Sequence, residues 1–212
     1  MSGLVITVVL LAILVGVAAK IYLGREKEKK NAMAVPPYAA WTISHSQGAT
    51  TNAIKGADGL FYFDLPKAPN SDNMITTVSP RPLKQGQRIT LKFKIAGAGH
   101  AMPHEENTGP PRLRLFLWRY GDNLSGAGAA EFYRQWTKDV VIDHAGDYEL
   151  SETLAPGNWT GVLGKNGNAQ QFDDLLNNIA LTGFSLGSSA AAHGCHAEGG
   201  DVRLTIVSHE IR

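Results

Sequence analysis

Between Gln87 and Ala96 apolar and polar residues alternate without a break. Ile89, Leu91, Phe93 and Ile95 fall on one side, and Thr90, Lys92 and Lys94 on the other. A period of two is the signature of a strand, here with one face buried and one in water. The same period runs through Pro110–Trp136, where Leu113, Leu115 and Leu117 alternate with Arg114, Phe116 and Trp118. Both faces carry bulk there. The aliphatic one suits a sandwich core, and the cationic, aromatic one suits either a second buried layer or a ligand platform. A glycine-rich stretch follows, and Glu131–Trp136 resumes the strand pattern, which predicts a hairpin.

Shorter strands are predicted at residues 60–66, 74–78, 139–143, 147–150, 179–186 and 202–211. Clusters of Pro, Asn, Asp and Gly punctuate them, at Ala68–Asn73, at Pro80 and Pro82, at His144–Gly146 and at Ala155–Asn158. Residues 97–111 and 187–200 read as loops. One segment changes period: Phe172, Leu175, Leu176 and Ile179 fall at i, i+3, i+4 and i+7, which predicts a helix over Gln170–Asn177. Closely spaced short strands and a single such helix predict an all-β fold, an antiparallel β-sandwich of jelly-roll-like arrangement with the hairpin at its centre. The terminal strands look able to pair.

The N-terminus departs from this pattern. Leu4–Ala19 carries no charge, and with Lys20 snorkelling the apolar run reaches Leu23. As a helix this run of roughly 20 residues spans a bilayer core of about 30 Å. A transmembrane anchor is expected in preference to a cleaved signal peptide, because no Lys or Arg precedes the run. Pro36 and Pro37 stop any helix continuing through Arg25–Lys30. The expected organisation is an anchor over 1–24, a juxtamembrane linker and extended arm over 25–56, and the sandwich over 57–212. Trp41 is expected to dock the arm against the domain. Lys20, Arg25, Lys27, Lys29 and Lys30 all follow the run. The positive-inside rule then puts the N-terminus outside and the sandwich on the cytoplasmic or inner side of a single-pass protein.

Composition narrows the function classes. In 212 residues, 20 Lys and Arg stand against 19 Asp and Glu, so no global field favours nucleic acid, and no nucleic-acid partner is expected. Cys195 is the sole cysteine, which excludes an intramolecular disulfide. There is no GxSxG, phosphate loop or dinucleotide fingerprint, so neither catalytic residues nor a cofactor are expected.

Two constellations carry candidate chemistry. Arg119, Tyr120, Asp122 and Asn123, together with Tyr133 and Arg134, cluster at the loop end of the hairpin. An aromatic face to stack on C–H groups, beside planar polar groups to bond hydroxyls, is what sugar recognition requires. Phe116 and Trp118 are expected to be buried. His193, Cys195 and His196, with Glu198, have a metal-like spacing, but a structural zinc site wants four ligands and the fourth is missing. No metal is expected there. His100 and His104 are four apart, yet Pro103 denies them a shared helix face, so the logic of a helical zinc-hydrolase motif does not apply. Turn aspartates such as Asp143 and Asp147 read as turn formers.

From Gly59 to the C-terminus the chain resembles a group of small uncharacterised bacterial domains. The resemblance rests on Phe61–Asp64, Thr76–Thr77, Arg119–Asn123, Glu131–Trp136 and Asn158–Trp159. That group is similar in general shape to carbohydrate-binding modules, of the galactose-binding-like jelly-roll kind. The resemblance implies a β-sandwich and carries over no activity. The expected function is a membrane-anchored, non-catalytic sandwich binding a saccharide or similar polar surface. Its partners would be the bilayer through residues 4–23 and a glycan or neighbouring protein subunits. The alternatives are a structural protein of a cell envelope or membrane-containing virion, and a metal-dependent enzyme on the His/Cys loop.

Overall fold

The structure is a computed structural model that describes residues 41–45, 51–79, 82–104, 109–121, 134–161, 169–188 and 193–212. In chain order the strands are β1 (Thr42–His45), β2 (Thr51–Asn52), β3 (Ile54–Lys55), β4 (Phe61–Asp64), β5 (Asp72–Val78), β6 (Arg88–Ala96), β7 (His100–Pro103) and β8 (Arg112–Arg119). They continue as β9 (Arg134–Trp136), β10 (Val140–Val141), β11 (Gly146–Thr153), β12 (Trp159–Thr160), β13 (Ile179–Gly187), β14 (Cys195–Glu198) and β15 (Arg203–Ile211). A helix, α1 (Ala169–Asn177), precedes β13.

The strands form two antiparallel sheets. One has ten strands with the path β12-β9-β8-β13-β5-β1-β2, to which β10 adds on β8 and β14 links β5 to β7. The other has five strands in the order β11-β6-β15-β4-β3. This is the expected all-β antiparallel sandwich. The predicted hairpin is present, with Phe116 opposite Gln135 and Leu117 opposite Arg134, but it lies toward the β12 edge of the larger sheet and not at its centre. The predicted first strand, β4, also pairs with the last, β15, placing Phe63 opposite Leu204.

The alternating strands make the core because each can offer one apolar row to the other sheet. Leu113, Leu115, Leu117, Phe184, Leu186 and Ile75 come from the larger sheet, and Ile89, Leu91, Phe93, Ile95, Leu150 and Leu204 from the smaller. All are buried. Each is worth about 1.5–3 kcal/mol relative to exposure. Along β6 the exposed Lys92 and Lys94 separate the buried rows, as the alternation requires. The helix covers part of this core with Phe172, Leu175 and Leu176, the residues its period placed on one face.

Four further features differ from the sequence-based expectation. Residues 139–150 do not form a local pair: β10 joins β8 in one sheet and β11 joins β6 in the other. The short turn between them carries the chain from one layer to the other. The stretches 97–111 and 187–200, expected as loops, contain β7 and β14, which pair with each other from Cys195–Pro103 to Glu198–His100. Their small residues, Ala101 and Ala197, are buried where larger strands use Leu or Ile, so the apolar period was too faint to read.

The sheets also begin before position 57. β1 pairs with β5, and Trp41 beside it is 6% exposed, docked in the core as expected. Finally, Phe116 is buried but Trp118 is only half-buried. The apolar run 4–23 lies outside the described residues, and no helix among the described residues is long and apolar enough to cross a membrane.

Candidate ligand-binding site

The rim at the end of β8 is built by the junction of helix and strand. Asn178 follows α1 directly, and its N–H donates to the carbonyls of Asp174 at 3.1 Å and Leu175 at 3.1 Å, closing the helix. The chain then enters β13 at once, and Ile179 pairs with Arg119 of β8. The end of the helix is therefore carried to the end of β8 by chain continuity, with no loop between them. The Tyr120 N–H donates to the Asn178 carbonyl at 3.0 Å and fixes the two ends together. Gly121, at φ 84°, then turns the chain in a conformation that disfavours a side chain.

Side chains complete the rim. Arg119 donates from Nη1 to Oδ2 of Asp174. Asn178 donates from Nδ2 to the Asp174 carbonyl at 2.9 Å and to Asp174 Oδ1 at 3.1 Å. Asp174 is thus held from two sides, and a carboxylate tied to a guanidinium and an amide is pre-oriented before any ligand arrives. One residue earlier, Asp173 accepts from Gln85 Nε2 at 2.7 Å, which ties the loop before β6 to the helix. Tyr120, joined to Asn178 through its backbone, is 44% exposed, one of three exposed large hydrophobic residues among the described residues.

Of the six residues predicted here, Arg119 and Tyr120 come together at this rim. Asp122, Asn123 and Tyr133 lie outside the described residues. Arg134 is placed by its backbone, opposite Leu117. The sequence pattern alone does not single out Asp174 and Asn178. Their position just before a strand that pairs with Arg119 is the signal that would have found them.

The cationic, aromatic face of β8 is mostly occupied. Arg112 and Arg114 both bond Asp139, the latter at 2.7 Å. Burial pushes the Asp139 carboxyl up, but the hydrogen bonds from the two guanidiniums outweigh it and hold the group below its ordinary value. Phe116 meets Trp118 edge-on at 6.3 Å and is buried outside the inter-sheet core.

The His/Cys segment is a strand, and its alternation separates the presumed ligands. Cys195 and Ala197 belong to the core, while His196 between them points the other way. Burial pushes the Cys195 thiol up to about 12. His193 is exposed, and its carbonyl accepts from Ser71 Oγ at 3.2 Å. His100 pairs with Glu198 at 3.4 Å. No group of three or more His, Cys, Asp or Glu able to hold a metal ion occurs among the described residues. The expected loop is thus a strand over Cys195–Glu198, with Cys195 and His196 on opposite faces.

No family model matches the chain. No curated protein matches it either. Among solved structures the chain is similar to a "xylan-binding module CBM15", at 13% sequence identity and a TM-score of 0.33, covering 82% of this chain and 95% of that one.

Proposed function

We propose that the sandwich is a non-catalytic module that binds a saccharide or a similar polar surface at the rim formed by Tyr120, Arg119, Asp174 and Asn178. The observation that carries this reading is the exposed Tyr120, bonded through its N–H to the Asn178 carbonyl and next in sequence to Arg119, which with Asn178 fixes the Asp174 carboxylate. An open aromatic face provides stacking area for sugar C–H groups, and the fixed polar groups can bond hydroxyls at little ordering cost. Rigid secondary structure supports both parts, as a site of defined geometry requires. Asp122, Asn123, Tyr133 and Arg134, from the same hairpin, would extend the surface.

The direct test is a glycan array probed with the purified full-length protein and its Tyr120→Ala variant. The reading expects retention of at least one glycan by the parent and loss with Tyr120→Ala at unchanged thermal stability. Equal binding by both, or no retention anywhere on the array, would sink it.

The uncharged run Leu4–Ala19 supports a single-pass anchor, and the basic residues that follow it support a sandwich on the inner side of the membrane. Protease accessibility on intact cells and on inverted vesicles tests both points. Digestion of the sandwich in intact cells would reverse the assigned side, and recovery of the protein in the soluble fraction would remove the anchor.

A further inference from the structure

Trp41 and the three short strands that follow it close one side of the sandwich. β1 lies on the β5 edge of the larger sheet with β2 outside it, and β3 lies on the β4 edge of the smaller. Ala53 alone separates β2 from β3, and its N–H donates to the Trp41 carbonyl at 3.0 Å. Residues 41–55 thus form a clasp across both sheets. We infer that acid opens it as a unit: protonation of His209 expels Trp41, and β1, β2 and β3 leave their sheets while the longer strands stay paired.

His209 ties the clasp to the last strand. Its imidazole meets the Trp41 ring edge-on at 5.4 Å, and its Nε2 is buried without a hydrogen-bond partner. Opposite it on β6 is Leu91, buried and apolar. The charged residues of β6 and β15 alternate with this buried row and are engaged on the other face. Lys92 pairs with Glu149 and Glu210 with Arg212, while Arg88 bonds Ser151 and Thr153. Lys94 is exposed. On β4, Asp64 pairs with Arg203, and on β3, Lys55 stands over the Phe61 ring. The other histidine of the clasp, His45, lies at the far end of β1 opposite Asp72. An imidazolium carries N–H at both nitrogens, so a protonated His209 would hold a buried Nε2–H with no acceptor and no counter-charge.

Burial accordingly lowers the imidazole to about 4, and opening returns it to its ordinary value near 6.5. As pH falls from 6.5 toward 4 the open form takes up the proton first, so the open population grows. The clasp yields before the sandwich because little holds it. β1 has four residues and β2 and β3 two each, against nine in β6, β13 and β15. Thr51, Asn52, Ile54 and Lys55 are exposed, and short exposed ladders open at the least free energy.

Hydrogen exchange read by mass spectrometry on the purified full-length protein, at pH 7 and pH 4.5 with the intrinsic pH dependence of exchange divided out, tests this. Opening of 41–55 should rise about fifty-fold between the two, the ratio that the two imidazole values give, while β6, β8 and β13 keep their protection. His209→Phe and His209→Leu should each abolish the rise, with thermal unfolding at pH 7 showing that the variants fold. Equal loss of protection in every strand, a clasp protected alike at both pH values, or a rise that survives in a folded variant overturns the inference. If neither variant folds, the parent decides: only a clasp lets 41–55 open ahead of β6 in acid.

Discussion

Phe184 of the larger sheet and Phe93 of the smaller stack across the core with centroids 6.2 Å apart and rings 11° from parallel. Phe184 also meets Trp41 at 6.0 Å and Phe63 at 6.5 Å, while Phe93 stacks on Tyr148 at 5.0 Å. A run of rings thus crosses the sandwich from the N-terminal strand to the edge strand β11. Phe184→Ala should cost about 3–5 kcal/mol, the usual range for a fully buried aromatic, because the four surrounding elements cannot all collapse into the space. Urea unfolding of parent and variant measures it, and a loss below about 1 kcal/mol would show that the two sheets do not meet as described.

His209 meets Trp41 edge-on at 5.4 Å. Burial lowers its imidazole to about 4, whereas the unfolded chain titrates near 6.5. The neutral form is the one the fold accepts, so both states are neutral above pH 6.5 and no penalty is felt. As pH falls from 6.5 toward 4 the unfolded chain takes up the proton first, and stability drops by on the order of 3 kcal/mol. His209→Phe should flatten this part of the pH–stability profile. A parent profile with no slope in that window would place the imidazole in water.

Gly97, at φ 132°, lies against the backbone of Asp201: a Cβ there would sit 2.0 Å from the Asp201 carbonyl oxygen. Gly86, at φ 85°, has open space around it. Gly86→Ala should cost about 1 kcal/mol through backbone conformation alone. Gly97→Ala should cost clearly more, since two crossing chains must separate. Equal thermal shifts for the two variants would contradict the close approach.

Asp139 pairs with two partly buried guanidiniums, on Arg112 and Arg114. Asp139→Ala should destabilise by about 1–3 kcal/mol, because both cations lose a charge-assisted bond and repel one another. The group's folded value is lowered, so its contribution is complete above the ordinary carboxylate value near 3.8 and is lost as pH falls through the folded one. Parent and variant should therefore differ in melting temperature at pH 7 and draw together as the pH falls below 3.8. A constant difference across that range would mean that packing, not charge, links the three residues.

What the amino-acid order determines alone is the set of strongly periodic elements. Ile89–Ile95, Leu113–Leu117 and Phe172–Ile179 each place several large apolar residues at one spacing, and a local pattern of that strength leaves one face to bury whatever the partner is. β7 and β14 were illegible because each is four residues long and packs with small residues, Ala101 and Pro103 in one and Cys195 and Ala197 in the other, which give little contrast with their neighbours. Partner choice is not local. Val140–Val141 and Gly146–Thr153 lie five residues apart yet join different sheets, because each is drawn to the open edge of a strand far off in sequence. The rim shows both sides of this division. Tyr120 and Arg119 were visible as a polar, aromatic hairpin end, while Asp174 and Asn178 became part of it only when β13 paired with β8 and drew the end of the helix beside them.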